Sequence, residues 1–302
     1  EKICERTGGD GDEIYLEMSD YYNGHRFCVD VEERLFNPDM VLYYLTEYEG
    51  TGRPPRELID ANIASDYRKI GNLFQLYEEQ DGREIISSLM EEGVVYGNLT
   101  VQFNLEREFE RDDFLSLLLY MGFVRVEGLF GRLHRFGMPN YVIRELYYRY
   151  LYEEEVKRRD VRVDTHRLEV ALVEMAMEGR IERLVRMVED FLGKVLSNRD
   201  MRGFRESHLK VHLLTLLHLS RLYYRQSEVE AERGYLDVFL RGMEPFGGRY
   251  EWVLELKYVK GEEMSRLEDV KEEGREQLRR YMEKVRGRAR YELKGALLVF
   301  TG

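Results

Sequence analysis

The chain has 302 residues, and its 46 Lys and Arg against 58 Asp and Glu give a formal net charge of −12. A hydrophobic content of 43% excludes a mainly disordered chain, and the length allows two or more folded domains. The net charge repels phosphate, which excludes a uniformly basic polyanion binder. Two cysteines, Cys4 and Cys28, cannot build a disulfide framework, and no apolar run approaches the length needed to span a bilayer. A soluble, cytoplasmic protein with no membrane association is expected.

From the N-terminus, Gly8-Gly9-Asp10-Gly11-Asp12 reads as a turn-rich loop. No Gly-Lys-Ser/Thr follows it, so it is not a phosphate loop. Tyr21-Tyr22-Asn23-Gly24-His25-Arg26-Phe27 and Leu35-Phe36-Asn37-Pro38-Asp39-Met40-Val41-Leu42 come next, and Ala64–Ile70 further on. These stretches resemble the C-terminal part of an AAA-ATPase-like domain of the kind that precedes certain nucleases in bacteria. The resemblance implies a nucleotide-binding half upstream of residue 1, and no residue here is assigned to ATP hydrolysis.

Asp112–Met121 is apolar at helical spacing, with Asp112 or Asp113 expected to cap its start. Phe123–Glu127 and Arg132–Phe136 read as a hairpin around Gly128–Gly131, and Pro139 is expected to open a helix through Tyr150. Helix, hairpin and helix resemble a winged-helix unit, here expected to pack against protein rather than bind DNA because its surroundings are acidic. Leu168–Leu196 reads as one or two amphipathic helices joined at Gly179, with its Met residues as core filling.

Arg205–Arg225 is again apolar at helical spacing and carries Glu206 near its start. His208 and His212 lie four apart, the spacing of paired zinc ligands. The residues between them are Leu209, Lys210 and Val211 rather than a His-Glu-x-x-His pattern, so surface or site-lining histidines are favoured over zinc. A short strand is expected over Glu228–Glu232. Gly234–Leu240 and Tyr250–Lys257 alternate as strands, which sets Asp237 among Tyr235 and Phe239 on one face and Glu255 beside Lys257 on another. A polar helix from about Glu262 to Arg286 and a strand within Tyr291–Thr301 complete the chain. Two acids and a lysine on adjacent strands are costly unless compensated, and a divalent metal with a polyanion would compensate them.

The D…ExK pattern over Asp237, Glu255 and Lys257, in a helix–strand–strand–strand–helix–strand order, resembles the PD-(D/E)XK nuclease superfamily. The resemblance implies a metal-dependent endonuclease that hydrolyses phosphodiester bonds of nucleic acid, in first instance DNA, with Mg2+ or Mn2+ as cofactor. It implies Asp237, Glu255 and the carbonyl of Leu256 as metal ligands, with Glu206 joining the metal site through water or by helping to hold a second ion. Lys257 would act on the attacking water and the phosphate, and Gln277 would position Lys257 or the water. The family usually has a histidine four residues after the helix glutamate; here that position is Lys210.

The expected architecture is α+β. A mostly helical part over residues 1–160 holds the ATPase-like and winged-helix-like stretches, 161–202 is a helical linker, and 203–302 is a restriction-endonuclease-like αβββαβ domain. Charge follows the same division: Gly203–Gly302 holds 19 Lys and Arg against 17 Asp and Glu, whereas the rest holds 27 against 41. Arg275, Arg279, Arg280, Lys284, Arg286, Arg288 and Arg290 cluster there, with Glu272, Glu273, Glu276 and Glu283 interleaved, as either a phosphate-contacting surface or a solvated helix face. A homodimer or a larger assembly is expected on duplex DNA, because each chain carries one copy of the motif and a duplex has two strands. The alternative is a nuclease-fold module that binds nucleic acid or protein without cutting.

Overall fold

A computed structural model describes residues 2–55, 57–59, 79–103, 109–195, 205–220, 222–227, 238–243 and 248–302. Contacts divide the chain into two units, Glu1–Tyr150 and Leu151–Gly302, and the architecture is α+β as expected.

The first unit opens with α1 (Lys2–Thr7) and α2 (Gly11–Tyr22), the latter capped by Asp10, whose carboxylate accepts from the Asp12 N–H at 2.8 Å. The short antiparallel pair β1 (Asn23–His25) and β2 (Leu35–Phe36) leads to α3 (Pro38–Thr51), capped by Asn37 and ended by left-handed Gly52. Next come α4 (Glu79–Glu92), β3 (Val94–Gly97), α5 (Arg111–Tyr120), β4 (Arg125–Phe130), β5 (Leu133–Gly137) and α6 (Tyr141–Arg159). The three strands form an antiparallel sheet in the order β3-β5-β4. Ala64–Ile70 lies outside the described residues.

Two helix starts differ from expectation. Glu110 is the N-cap of α5, and Asp113 reaches back to accept from the Glu110 N–H at 3.0 Å. In α6 the helix begins at Tyr141, two residues after Pro139. Asn140, through its Oδ1, accepts from the Ile143 N–H at 3.0 Å, so the amide satisfies the helix end where proline was expected to begin it.

Asn140 also ties α6 to β1. With its Oδ1 taken by Ile143, Nδ2 donates to the Tyr22 carbonyl and to His25 Nε2, both at 3.1 Å. His25 Nε2 must therefore be unprotonated. The ring is buried, and burial, aided by the Arg125 charge, lowers its pKa to about 4 from an ordinary 6.5. A lowered histidine binds fewer protons folded than unfolded between those values, so stability falls as pH drops from about 6.5 to about 4, by up to roughly 1.4 kcal/mol per pH unit. Thermal melts at pH 7 and pH 5 are expected to show this loss in the wild type and a smaller one in His25→Gln, whose amide can still accept from Asn140. Equal losses in the two proteins would contradict the assignment.

The second unit is built on a four-stranded sheet in the order β6-β7-β8-β9: Tyr223–Ser227, Val238–Gly242, Tyr250–Val259 and Glu292–Thr301. The pairs β6/β7 and β7/β8 are antiparallel and β8/β9 is parallel. A parallel neighbour requires a crossover, and it is supplied by a 3-10 segment, Gly261–Arg266, followed by α10 (Leu267–Val285). The expected helix from Glu262 thus starts as a tighter 3-10 turn. The expected helix over Arg205–Arg225 is shorter: α9 (Glu206–Leu217) stops there, and Tyr223–Arg225 belong to β6. Buried Tyr223 and Tyr224, an aromatic pair suited to a strand, pair with Gly242 and Arg241 of β7. The strand expected over Glu228–Glu232 lies outside the described residues.

The two faces of the sheet are covered differently. On one, Phe239 and Val253 pack with Val285, Leu278, Tyr281 and Met282 of the α10 region. Gly274 lets α10 approach closely, since a Cβ there would lie 2.6 Å from Leu297 Cδ1 and 3.4 Å from Lys257 Cγ. On the other face sits α7 (Thr165–Glu178), joined through left-handed Gly179 to α8 (Glu182–Val195). The C-terminal carbonyls of α7 are satisfied by the sheet. Trp252 Nε1 donates to Met175 O at 3.0 Å, the Arg249 N–H to Ala176 O at 2.7 Å, and Lys294 Nζ to Gly179 O at 3.2 Å.

Candidate active site

Strand β8 carries three buried ionisable residues on one face: Glu251, Glu255 and Lys257. Alternation sets them in line with Val253, which packs toward α10, so this face is the one that α10 covers. Buried charges of this kind persist only when paired or hydrogen-bonded. Here the pairs differ in character.

Glu255 and Lys257 pair directly, with Lys257 Nζ 2.7 Å from Glu255 Oε1. Lys257 Nζ also lies 3.4 Å from Glu206 Oε1. Glu206 is the first residue of α9, where the helix dipole favours an acid, and its carboxylate accepts from the Tyr258 backbone N–H. One ammonium therefore bridges two carboxylates from different elements. Burial pushes both carboxyls above the ordinary range, against the lowering effect of Lys257 on each. For Glu255 the neighbouring Glu206 charge adds to the rise. A raised carboxylate holds its proton more tightly folded than unfolded. Its contribution to stability thus falls as pH rises from the ordinary carboxylate range through the raised value, and the fully charged site at neutral pH is costly without a further cation.

Glu251, four residues before Glu255, was not singled out from the sequence. It is fully buried and accepts from the Gly242 N–H at 2.9 Å, the Arg290 N–H at 3.0 Å and the Tyr291 backbone. Those bonds clamp the end of β7 to the turn before β9, so this acid holds the sheet together beside the site. The only hint in the sequence is its period-two alignment with Glu255.

Other expected residues separate clearly. Gln277 lies on α10, one turn beyond Gly274, and its Oε1 is buried with no hydrogen-bond partner among the described residues. A buried amide oxygen in this state is ready to accept a donor. Leu256, between Glu255 and Lys257, is buried on the opposite face of β8. Asp237 lies outside the described residues; it precedes Val238, whose register partner is Leu254. His208 Nδ1 accepts from the Arg205 N–H at 2.9 Å, and the His212 ring meets Phe191 edge-on. Among the described residues no group of three or more His, Cys, Asp or Glu side chains is placed to hold a metal ion. The basic residues from Arg275 to Arg290 are exposed, as are the glutamates between them, and Arg275 pairs with Glu272 at 3.2 Å.

Residues 204–302 match the family model of the PD-(D/E)XK nuclease superfamily. The match takes in α9, the four-stranded sheet and α10, and with them Glu206, Glu255 and Lys257. The match supports a nuclease-superfamily domain over these residues, of the restriction-endonuclease-like kind. No curated protein matches the chain. No helix among the described residues is long and apolar enough to cross a membrane.

Proposed function

We propose that the C-terminal domain is a metal-dependent endonuclease that hydrolyses phosphodiester bonds, with DNA as its substrate. The observation that carries this is the meeting of Glu206, Glu255 and Lys257 around one ammonium, inside the segment that matches the nuclease superfamily. The donor chemistry fits a hard divalent cation. Two carboxyls, raised by burial, offer oxygen ligands, and a bound cation would favour their ionised form, which Lys257 alone does not neutralise. Glu255, the Leu256 carbonyl and Glu206 would hold Mg2+ or Mn2+, together with Asp237, proposed from its place in the chain directly before Val238. When bound, such an ion supplies Lewis-acid polarisation and a hydroxide nucleophile near neutral pH.

The chain's own residues have separable tasks. Lys257 orients the attacking water and offsets charge that accumulates on the phosphate oxygens. Its ammonium is held in place by Glu255 and Glu206, so the group arrives preorganised. The Gln277 amide oxygen accepts from the water or from Lys257. Glu251 keeps β8 and the turn before β9 fixed to each other, which holds the reacting groups in position. A homodimer provides two sites for the two strands of a duplex. Gating by an ATPase region rests on the resemblance of Tyr21–Phe27, Leu35–Leu42 and Ala64–Ile70. A second reading is a module that binds without cutting, and it is favoured by the 2.7 Å contact through which Lys257 already occupies a Glu255 oxygen.

Linkage tests the metal assignment. Trp252 is the one tryptophan in the chain and is buried in β8, so its fluorescence reports the domain directly. Mg2+ or Mn2+ is expected to raise the midpoint of thermal unfolding by several degrees, since a ligand at about 100 times its Kd adds roughly 2.7 kcal/mol. Asp237→Ala and Glu255→Gln are expected to abolish the shift while each still folds. A wild type whose midpoint ignores both ions would rule out the metal site.

A further inference from the structure

The Glu206–Glu255–Lys257 group has a charged neighbour on the helix that carries Glu206. Lys210 follows Glu206 by four residues on α9, the spacing that sets two side chains side by side on one helix face. Its neighbours Leu209, Val211, Leu213 and Leu214 are buried, while Lys210 itself is only partly covered. Lys210 thus stands one helical turn from Glu206, which itself meets Lys257, and its charge lowers both carboxylates, Glu206 and Glu255. The two lysines are not equivalent. Lys257 is buried, with its ammonium already set between two acids at 2.7 and 3.4 Å. Lys210 is the more exposed of the two. A phosphate approaching two carboxylates is repelled unless a cation with access to solvent meets it first.

We propose that Lys210 is a DNA-binding residue of this site, taking a backbone phosphate at the Glu206 end while Lys257 serves the reacting one. The inference rests on the nuclease reading above and deepens it by naming how the strand is held. A phosphate contact of this type is independent of base sequence and depends on salt, since it acts by releasing condensed counterions. A lysine that merely balanced Glu206 and Glu255 would affect stability and leave the salt dependence of DNA binding alone.

The test is fluorescence anisotropy of a fluorescein-labelled duplex oligonucleotide with the full chain, in Ca2+ instead of Mg2+, over a range of KCl concentrations. Cleavage is monitored in parallel samples in which Mg2+ replaces Ca2+. Lys210→Met is expected to weaken binding about tenfold at low salt and to reduce the salt slope by about 1, whereas Lys210→Arg keeps most of both. If Lys210→Met does not fold, Lys210→Gln against Lys210→Arg makes the same comparison. Wild-type affinity and slope in a folded Lys210→Met or Lys210→Gln protein would overturn the proposal and leave the nuclease reading standing. A wild type that neither binds nor cuts the duplex would overturn both.

Discussion

Lys257→Met is expected to lower the rate of DNA cleavage by about 10^3-fold while preserving the stabilisation by Mg2+ or Mn2+. The magnitude is that of removing one preorganised charge-stabilising donor from a site that excludes water. The preserved metal response follows because the substitution removes no oxygen ligand. Apo stability supplies an independent signature. Lys257 is the ammonium between Glu255 and Glu206, and removing one partner of a buried ion pair costs about 3–5 kcal/mol by leaving the other charge uncompensated. The metal-free variant is therefore expected to melt below the wild type, and the divalent ion to raise it by more than it raises the wild type. Cleavage at the wild-type rate would exclude Lys257 from the chemistry.

Gly24→Ala is expected to produce the largest loss of stability in the first unit, at least about 3 kcal/mol. Gly24 has φ +135, a backbone conformation that side chains rarely adopt, and a Cβ there would lie 1.8 Å from the Pro139 carbonyl oxygen. That atom belongs to the backbone just before α6, so it cannot swing aside as a side chain would. The clash would also disturb the adjoining His25–Asn140 contact. Gly128→Ala is the matched control: among the described residues no atom beyond its chain neighbours lies within 4 Å of its Cβ position, and its φ is not in the positive range. Urea unfolding followed by circular dichroism is expected to show a large shift in midpoint for the first variant and almost none for the second. Equal midpoints would mean that the chain does not pass this closely beneath Pro139.

The alternation in Tyr250–Lys257 made the core of the site legible, because period two forces Glu255 and Lys257 to one face whatever surrounds them. Glu206 was legible as an acid at a helix start. Its contact with Lys257 was not, since it depends on where α9 meets β8, a long-range packing outcome. Glu251 went unremarked because its partners are backbone N–H groups, which leave no trace in side-chain identity. The end of α9 was misplaced for a related reason: Leu219 and Leu222 continue a helical apolar pattern into Tyr223–Arg225, and only pairing with β7 makes those residues a strand. At Asn140 the amide outcompeted Pro139 as the start of α6, because it satisfies both a helix N–H and the buried His25. The Gly179 break between α7 and α8 was readable in advance, being a local requirement for a left-handed residue.

The measurement that bears most directly on the central claim is conversion of supercoiled plasmid DNA by the purified full chain, with Mg2+, with Mn2+ and with EDTA, alongside Glu255→Gln and Lys257→Met. Nicked or linear product is expected from the wild type with a divalent ion, with none in EDTA and none above background from Glu255→Gln. A folded wild type that leaves the plasmid intact under all three conditions, or a Glu255→Gln variant that cuts as fast as the wild type, would contradict the account.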